Sequence, residues 1–255
     1  MTKKTEFDIN KKPLHIYCLS DTHIGNPCFN QQFFEYALDE IKKDKHEKII
    51  ILNGDILEIS SKNIGNSAFK QKIDVNEQLE LAIDYLKPFK DNIIGVTKGN
   101  HDSARILKEF DFDITQVLAQ AFDCNSVSQF KQTLTINEEP YKIFATHGKG
   151  SAPKKPHLAL GKIIRETEYI DCDISFYGHI HKAHEISSVN VVDNKYRRRY
   201  FVATGSFLTY KNSYAENMGL APVPEAFTRV DIDKDLNTKV NIFNIDEVCP
   251  ELVEL

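Results

Sequence analysis

The chain has 255 residues, 41% of them hydrophobic and 27% charged, and a net charge of −5. Those values fit a soluble globular protein with one large core; they exclude a disordered or fibrous chain and a molecule-wide charge for binding polyanions. Its five cysteines (Cys18, Cys28, Cys124, Cys172, Cys249) are odd in number and form no C-x-x-C pair, which argues against a disulfide framework or a zinc-thiolate site and for a reducing compartment.

The chain opens on MTKKTEFDINKKP, which lacks the apolar stretch of a signal peptide. No apolar run reaches the roughly 20 residues of a membrane span. The expectation is a cytoplasmic protein without membrane attachment, its oligomeric state open. Residues 14–20 (LHIYCLS) are the first compact apolar run and stop at Asp21. Phe33, Phe34, Ala37 and Ile41 then recur at helical spacing in 31–44. A second run, 48–54 (KIIILNG), precedes an irregular excursion over 59–73 and helical periodicity in 75–87, which ends before Pro88. A third run is 93–99 (IIGVTKG), followed by a helix over 113–122 with Asp113 as N-cap. The runs 141–147 (YKIFATH) and 174–179 (ISFYGH) bracket a helix over 157–170. Short runs rich in β-branched and aromatic residues fit strands buried on both faces, and their alternation with helices predicts βαβ crossovers and a largely parallel sheet.

From residue 185 the pattern changes. Segments 185–193, 198–207, 226–233 and 239–245 read as strands with no helix between them, which predicts a second sheet or an antiparallel edge. The segment 209–225 reads as a loop, with Tyr210, Tyr214 and Met218 either stacking on a base or, as expected first, closing over the core. With no Pro/Gly/Ser-rich linker or repeat, the reading is one domain over 1–255.

The chemistry sits where the apolar runs end. Asp21-Thr22-His23, Gly54-Asp55, Gly99-Asn100-His101-Asp102, His147-Gly148 and Gly178-His179-Ile180-His181 supply carboxylates, an amide oxygen and imidazoles, the donors that hard and borderline divalent cations take. Five of the nine histidines fall in these segments. Ligands of open α/β sheets bind beyond the carboxyl ends of the strands. Gly54, Gly99 and Gly178 each precede a candidate ligand, which predicts sharp turns there. In extended backbone, residues i and i+2 share a side, so each D-x-H or H-x-H pair can face one metal cluster. His15, His46, His157 and His184 lie outside this set and read as structural or solvated.

In this order and spacing, D-x-H, G-D, G-N-H-D, a lone His and G-H-x-H resemble the calcineurin-like metallophosphoesterases, over roughly residues 14–207. The resemblance implies an α/β fold, a four-layer α/β/β/α sandwich of two mixed sheets. It further implies two divalent metal ions about 3.5–4 Å apart at the strand C-terminal ends. Asp21, His23, Asp55 and His181 would hold the first ion; Asp55, Asn100, His147 and His179 the second, with Asp55 bridging. Mn2+ is the first expectation, with Fe and Zn open. Glu58 stands where many relatives carry the second Asp of G-D-x-x-D. A hydroxide bridging the metals would attack phosphorus, His101 would protonate the leaving group, and Asp102 would orient or tune that imidazole. Lys98, Arg105 and Lys149 are candidate phosphate contacts.

His101 supplies an acid for a poor leaving group such as a sugar alkoxide, which favours phosphodiesters or alkyl monoesters, and a nucleotide or nucleic-acid phosphodiester is the substrate expected first. Lys149, Lys154, Lys155, Lys162 and Arg165 after His147 form either a solvated face or a groove for a polyanion, as a nuclease would need. A phosphomonoesterase is the alternative. The protein phosphatases that resemble this chain use paired arginines, and Arg105 alone stands close to a motif here. A non-catalytic interaction module on the same fold is a third expectation, although such proteins lose ligands and none is missing.

Overall fold

The computed structural model describes residues 3–10, 12–60, 71–149, 156–192 and 194–253. Among them, two mixed sheets of six strands are flanked by helices. One sheet is built around four parallel strands, β2 (Leu14–Leu19), β3 (Lys48–Asn53), β4 (Ile93–Thr97) and β5 (Ser126–Val127). Two antiparallel strands, β11 (Ala226–Ile232) and β12 (Thr238–Asn244), extend it on the β2 side. The other sheet runs, in spatial order, β1 (Glu6–Phe7), β6 (Phe130–Ile136), β7 (Glu139–Thr146), β8 (Ile174–Tyr177), β10 (Lys195–Thr204) and β9 (Ala183–Val192).

Three hydrophobic clusters mark the three interfaces between four layers. Strand alternation sends Tyr17, Leu19, Ile50 and Leu52 to one side, against Phe33, Phe34, Ala37 and Ile41 of α1 (Gln31–Lys43), Ala82 and Leu86 of α2 (Val75–Leu86), and Leu118 of α4 (Ile114–Ala121). The intervening residues Leu14, Ile16, Cys18, Ile49 and Ile51 face Leu134, Ile143, Ile174, Phe176 and Val202 of the other sheet. Ile163 of α5 (Pro156–Thr167) packs on Tyr177, Phe201 and Ala203 at the far side. Local signals start the helices where the sequence places them. Asn30 caps α1, Asp113 caps α4, and Asp74 with Glu77 forms a capping box on α2.

The strands of the last third divide between the sheets and give each an antiparallel edge, one of the two arrangements expected: β9 and β10 join β8, whereas β11 and β12 join β2. The hairpin strand β6 escaped notice because its turn, Asn137-Glu138, takes positive φ at both positions without a glycine to signal it. Tyr214 and Met218 do not close over the core. They are 74% and 57% exposed on and just after the short helix α6 (Tyr214–Asn217), which has no buried face. Residues 61–70 of the expected excursion, and Lys154 and Lys155, lie outside the described residues.

Candidate metal centre

Every segment of the five-part pattern leaves the carboxyl end of a strand. Asp21 follows β2, Asp55 follows β3 and Asn100 follows β4 in one sheet; His147 follows β7 and His179 follows β8 in the other. The sheets face each other, so these ends meet at one rim. Asp21, His23, Asp55, His179 and His181 all have φ between 51° and 69°. A left-handed residue other than glycine costs about 1–3 kcal/mol, and such strain collects at functional sites. The D-x-H and H-x-H pairs therefore converge through consecutive left-handed kinks, and extended alternation is not the reason. Gly54 makes such a turn at φ +77°, whereas Gly99 is extended and is needed for space: a Cβ there would sit 2.2 Å from the backbone N of Asp55.

Two groups of ligand atoms result. Asp21 Oδ1 lies 3.1 Å from His181 Nε2, and His23 Nε2 lies 3.3 Å from His181 Nε2. Asp55 Oδ2 lies 3.1 Å from His147 Nε2, which is 3.2 Å from Asn100 Oδ1, and the ligand atoms of Asp55, His147 and His179 fall within 4.8 Å of one another. Asp55 Oδ2 is also 3.8 Å from His23 Nε2, between the groups. His181 is 39% exposed and forms the open side; Asp21, His23, Asp55 and His147 are buried.

The hydrogen bonds say what these atoms can hold. His147 Nδ1 donates to the carbonyl of Asn53 (2.9 Å), and His23 Nδ1 donates to Glu58 Oε2 (2.8 Å). Carbonyl and carboxylate oxygens only accept, so in the neutral rings each Nε2 carries a lone pair. Lone pairs then face lone pairs at 3.1–3.3 Å, an arrangement that a cation between them relieves. The residues fit divalent metal ions. By contrast, His15 and His46 each place Nδ1 2.7 Å from Asp44, whose carboxylate also accepts from Tyr17 Oη and the His46 N–H. That group is a closed set of hydrogen bonds, in which His46 is bound while 33% of its side chain stays exposed.

Charge follows the same pattern. Burial opposes the charge of His147, but Asp55 and Asp21 outweigh it and hold the imidazole up to about 10. Asp21 is lowered to about 2 because His147 and His181 overcome its burial. Without a cation, a proton on His147 supplies the missing positive charge. Metal must displace that proton, so apparent affinity will rise with pH from acid conditions toward about 10, and binding will release protons. Calorimetric titration of Mn2+ in two buffers of different ionisation enthalpy measures that release.

The remaining candidates are distributed differently. The His101 N–H bonds Asp55 Oδ1 (2.7 Å), and its ring meets the ring of His23 edge-on at 4.6 Å. Its Nδ1 lies 2.9 Å from the Glu58 carbonyl, 3.4 Å from Glu58 Oε1 and 2.8 Å from Arg105 Nη1. Burial lowers the His101 pKa, but Glu58 and Asp55 reverse the sign and raise it. Asp102 does not orient that imidazole. Its Oδ2 accepts the Ile56 N–H (2.8 Å) and its Oδ1 the Gly99 N–H (3.0 Å), tying together the loops of Asp55 and Asn100. Adjacent side chains on a helical turn, here Asn100–Ala104, do not face each other. Burial and the Asp55 charge push the Asp102 carboxyl up to about 7.

Lys98 is paired with Asp113 Oδ2 at 2.6 Å beside the start of α4, and Arg105 Nη1 lies 2.8 Å from His101 Nδ1. The Lys149 N–H bonds Tyr177 Oη at 3.4 Å. Glu58, at the motif position where many relatives carry Asp, links His23, Asn26 and His101, a reach that the sequence does not disclose. Glu58→Ala will weaken Mn2+ binding by about 10–100-fold, the usual penalty for losing the partner of a metal-binding histidine; the Mn2+ dependence of turnover measures it.

A calcineurin-like phosphoesterase family model matches residues 14–183. The chain belongs to that family. This calcineurin-like phosphoesterase is therefore a metal-dependent phosphoester hydrolase, and its His/Asp groups can bind divalent metal. Among curated proteins none matches the sequence. Among solved structures it is similar to the protein of unknown function AQ665 from Aquifex aeolicus, with 19% identity over 66% of this chain and 80% of that one, at a TM-score of 0.32. It is also similar to GAP50, the anchor in the inner membrane complex of Plasmodium, with 11% identity over 92% of this chain and 85% of that one, at a TM-score of 0.40. Both likenesses are too distant to speak to function. Among the described residues no helix is long and apolar enough to cross a membrane.

Proposed function

We propose that the chain, as one domain, is a phosphodiesterase acting on a nucleotide or nucleic-acid phosphodiester, with Asp21, His23, Asp55 and His181 holding one cation and Asp55, Asn100, His147 and His179 the other. Two divalent ions there, Mn2+ in our reading, would neutralise phosphate oxygens and bring a water near its pKa at neutral pH. The residues of the chain do the rest. Asp55 spans the two groups of ligands, Glu58 and Asn53 fix the imidazoles whose Nε2 atoms face inward, and His101 carries the proton for the leaving group.

The observation that carries the diester reading is the placement of His101. Glu58 and Asp55 favour its protonated form, in which Nδ1–H donates to the Glu58 carbonyl at 2.9 Å and Nε2–H is left for the substrate. A donor of that kind matters most for an alkoxide leaving group. That Arg105 alone stands close to a motif also argues against a paired-arginine phosphate clamp of the protein-phosphatase kind. Metal-stripped protein reconstituted with Mn2+ should hydrolyse bis-p-nitrophenyl phosphate in preference to p-nitrophenyl phosphate. A strong preference for the monoester would replace this reading by the phosphatase one.

A further inference from the structure

Asn53 belongs to none of the five motif segments, yet its hydrogen bonds reach His147 and the residues just ahead of Asp21 and His147. It ends β3, one residue before Gly54-Asp55, and is fully buried. Its backbone carbonyl accepts from Ser20 Oγ (3.0 Å) and from His147 Nδ1 (2.9 Å). Its side-chain Nδ2 donates to the carbonyl of Thr146 (3.1 Å), and its Oδ1 accepts from Thr97 Oγ1 (2.9 Å). The amide can sit only this way round, because the Thr146 oxygen has no hydrogen to give.

These partners lead straight to the ligands. Ser20 Oγ also lies against Asp21 Oδ2, and its one hydrogen serves either that carboxylate or the Asn53 carbonyl. Thr146 precedes His147, and its carbonyl accepts the N–H of Gly178 (3.2 Å) at the start of the turn carrying His179 and His181. Thr97 ends β4, whose continuation presents Asn100.

The physical need is clear from how the sheets meet. Their shared interior is apolar, and hydrophobic contact is non-directional, so it sets the distance between sheets better than their alignment along the strands. Metal ligands drawn from both sheets have to agree to within about 0.5 Å. Hydrogen bonds are directional, and at the rim of the metal centre the Asn53 amide makes one across the seam. We propose that Asn53 is a positioning residue of the metal centre: its amide aligns the sheet bearing Asp21, Asp55 and Asn100 with the sheet bearing His147, His179 and His181. It also places the carbonyl that turns His147 Nε2 toward Asp55. This rests on the ligand assignment proposed above.

The test is Mn2+ titration of metal-stripped wild type, Asn53→Ala and Thr97→Val, with bound ion followed by electron paramagnetic resonance below the melting temperature of each protein. Wild type should take up two ions. Asn53→Ala should weaken the site of Asp55, Asn100, His147 and His179 by about 10–100-fold and the site that takes only His181 from the other sheet by less, and Thr97→Val should weaken the former by about tenfold. A purely structural asparagine would lower the melting temperature and leave both affinities of the folded protein unchanged, which would overturn the proposal. Should Asn53→Ala not fold, Thr97→Val decides alone, and unchanged affinity at both sites overturns it. Wild-type protein that binds no Mn2+ would instead remove the ligand assignment underneath.

Discussion

Asp55→Asn will lower turnover at least about a thousandfold and strip the centre of cation, while the protein stays folded. Asp55 Oδ2 lies between the two groups of ligands, 3.1 Å from His147 Nε2 and 3.8 Å from His23 Nε2, and Oδ1 is held by the His101 N–H. An amide of the same shape removes the negative charge that both cations would share. Charge stabilisation by bound metal contributes several kcal/mol, and about 4 kcal/mol corresponds to a factor of about 10³. Asn keeps the shape and the Oδ1 that accepts the His101 N–H, so the protein still folds. It loses the carboxylate that faces His147 and His23, and the metal-free variant should melt below the metal-free wild type. Kinetics at saturating Mn2+, with metal content measured on the same samples, checks both halves. Undiminished turnover would remove Asp55 from the centre.

The second large effect belongs to His101, and the leaving group decides its size. His101→Ala keeps the backbone N–H that holds Asp55 Oδ1, so metal content should not change. General acid catalysis contributes about 10²–10⁴-fold where the departing oxygen needs a proton. A dinucleotide that expels a sugar alkoxide should therefore lose a factor in that range. Bis-p-nitrophenyl phosphate expels a phenolate that is stable without a proton, so it should lose no more than about tenfold. Equal losses on both substrates would show that His101 positions groups but does not deliver a proton.

Much of this molecule can be read along the chain. Apolar runs ending at Asp21, Asp55 and Asn100 announce strands whose carboxyl ends carry chemistry. Asn30, Asp74 and Asp113 fix helix starts within a residue or two, because capping is local. What escaped depends on partners far away in sequence. Glu58 looked like a variant of a motif position, and nothing near it in sequence shows that it reaches both His23 and His101. The Lys98–Asp113 pair is likewise formed only by folding. Asn53 was one polar letter at the end of an apolar run, and that letter was the available signal: a buried amide has to be satisfied.

The amino-acid sequence by itself determined most of the strands and helices, the candidate metal-binding side chains and the class of chemistry, because periodicity, capping and donor type are properties of short segments. The tertiary structure alone decided which strands share a sheet, since β9 and β10 pair with β8 while β11 and β12 pair with β2. It alone decided that two sheets bring three segments and two to one rim, and that left-handed turns aim the side chains inward. Hydrogen bonds such as Asn53 to Thr146 join residues 93 positions apart, and such a pairing has no local signature.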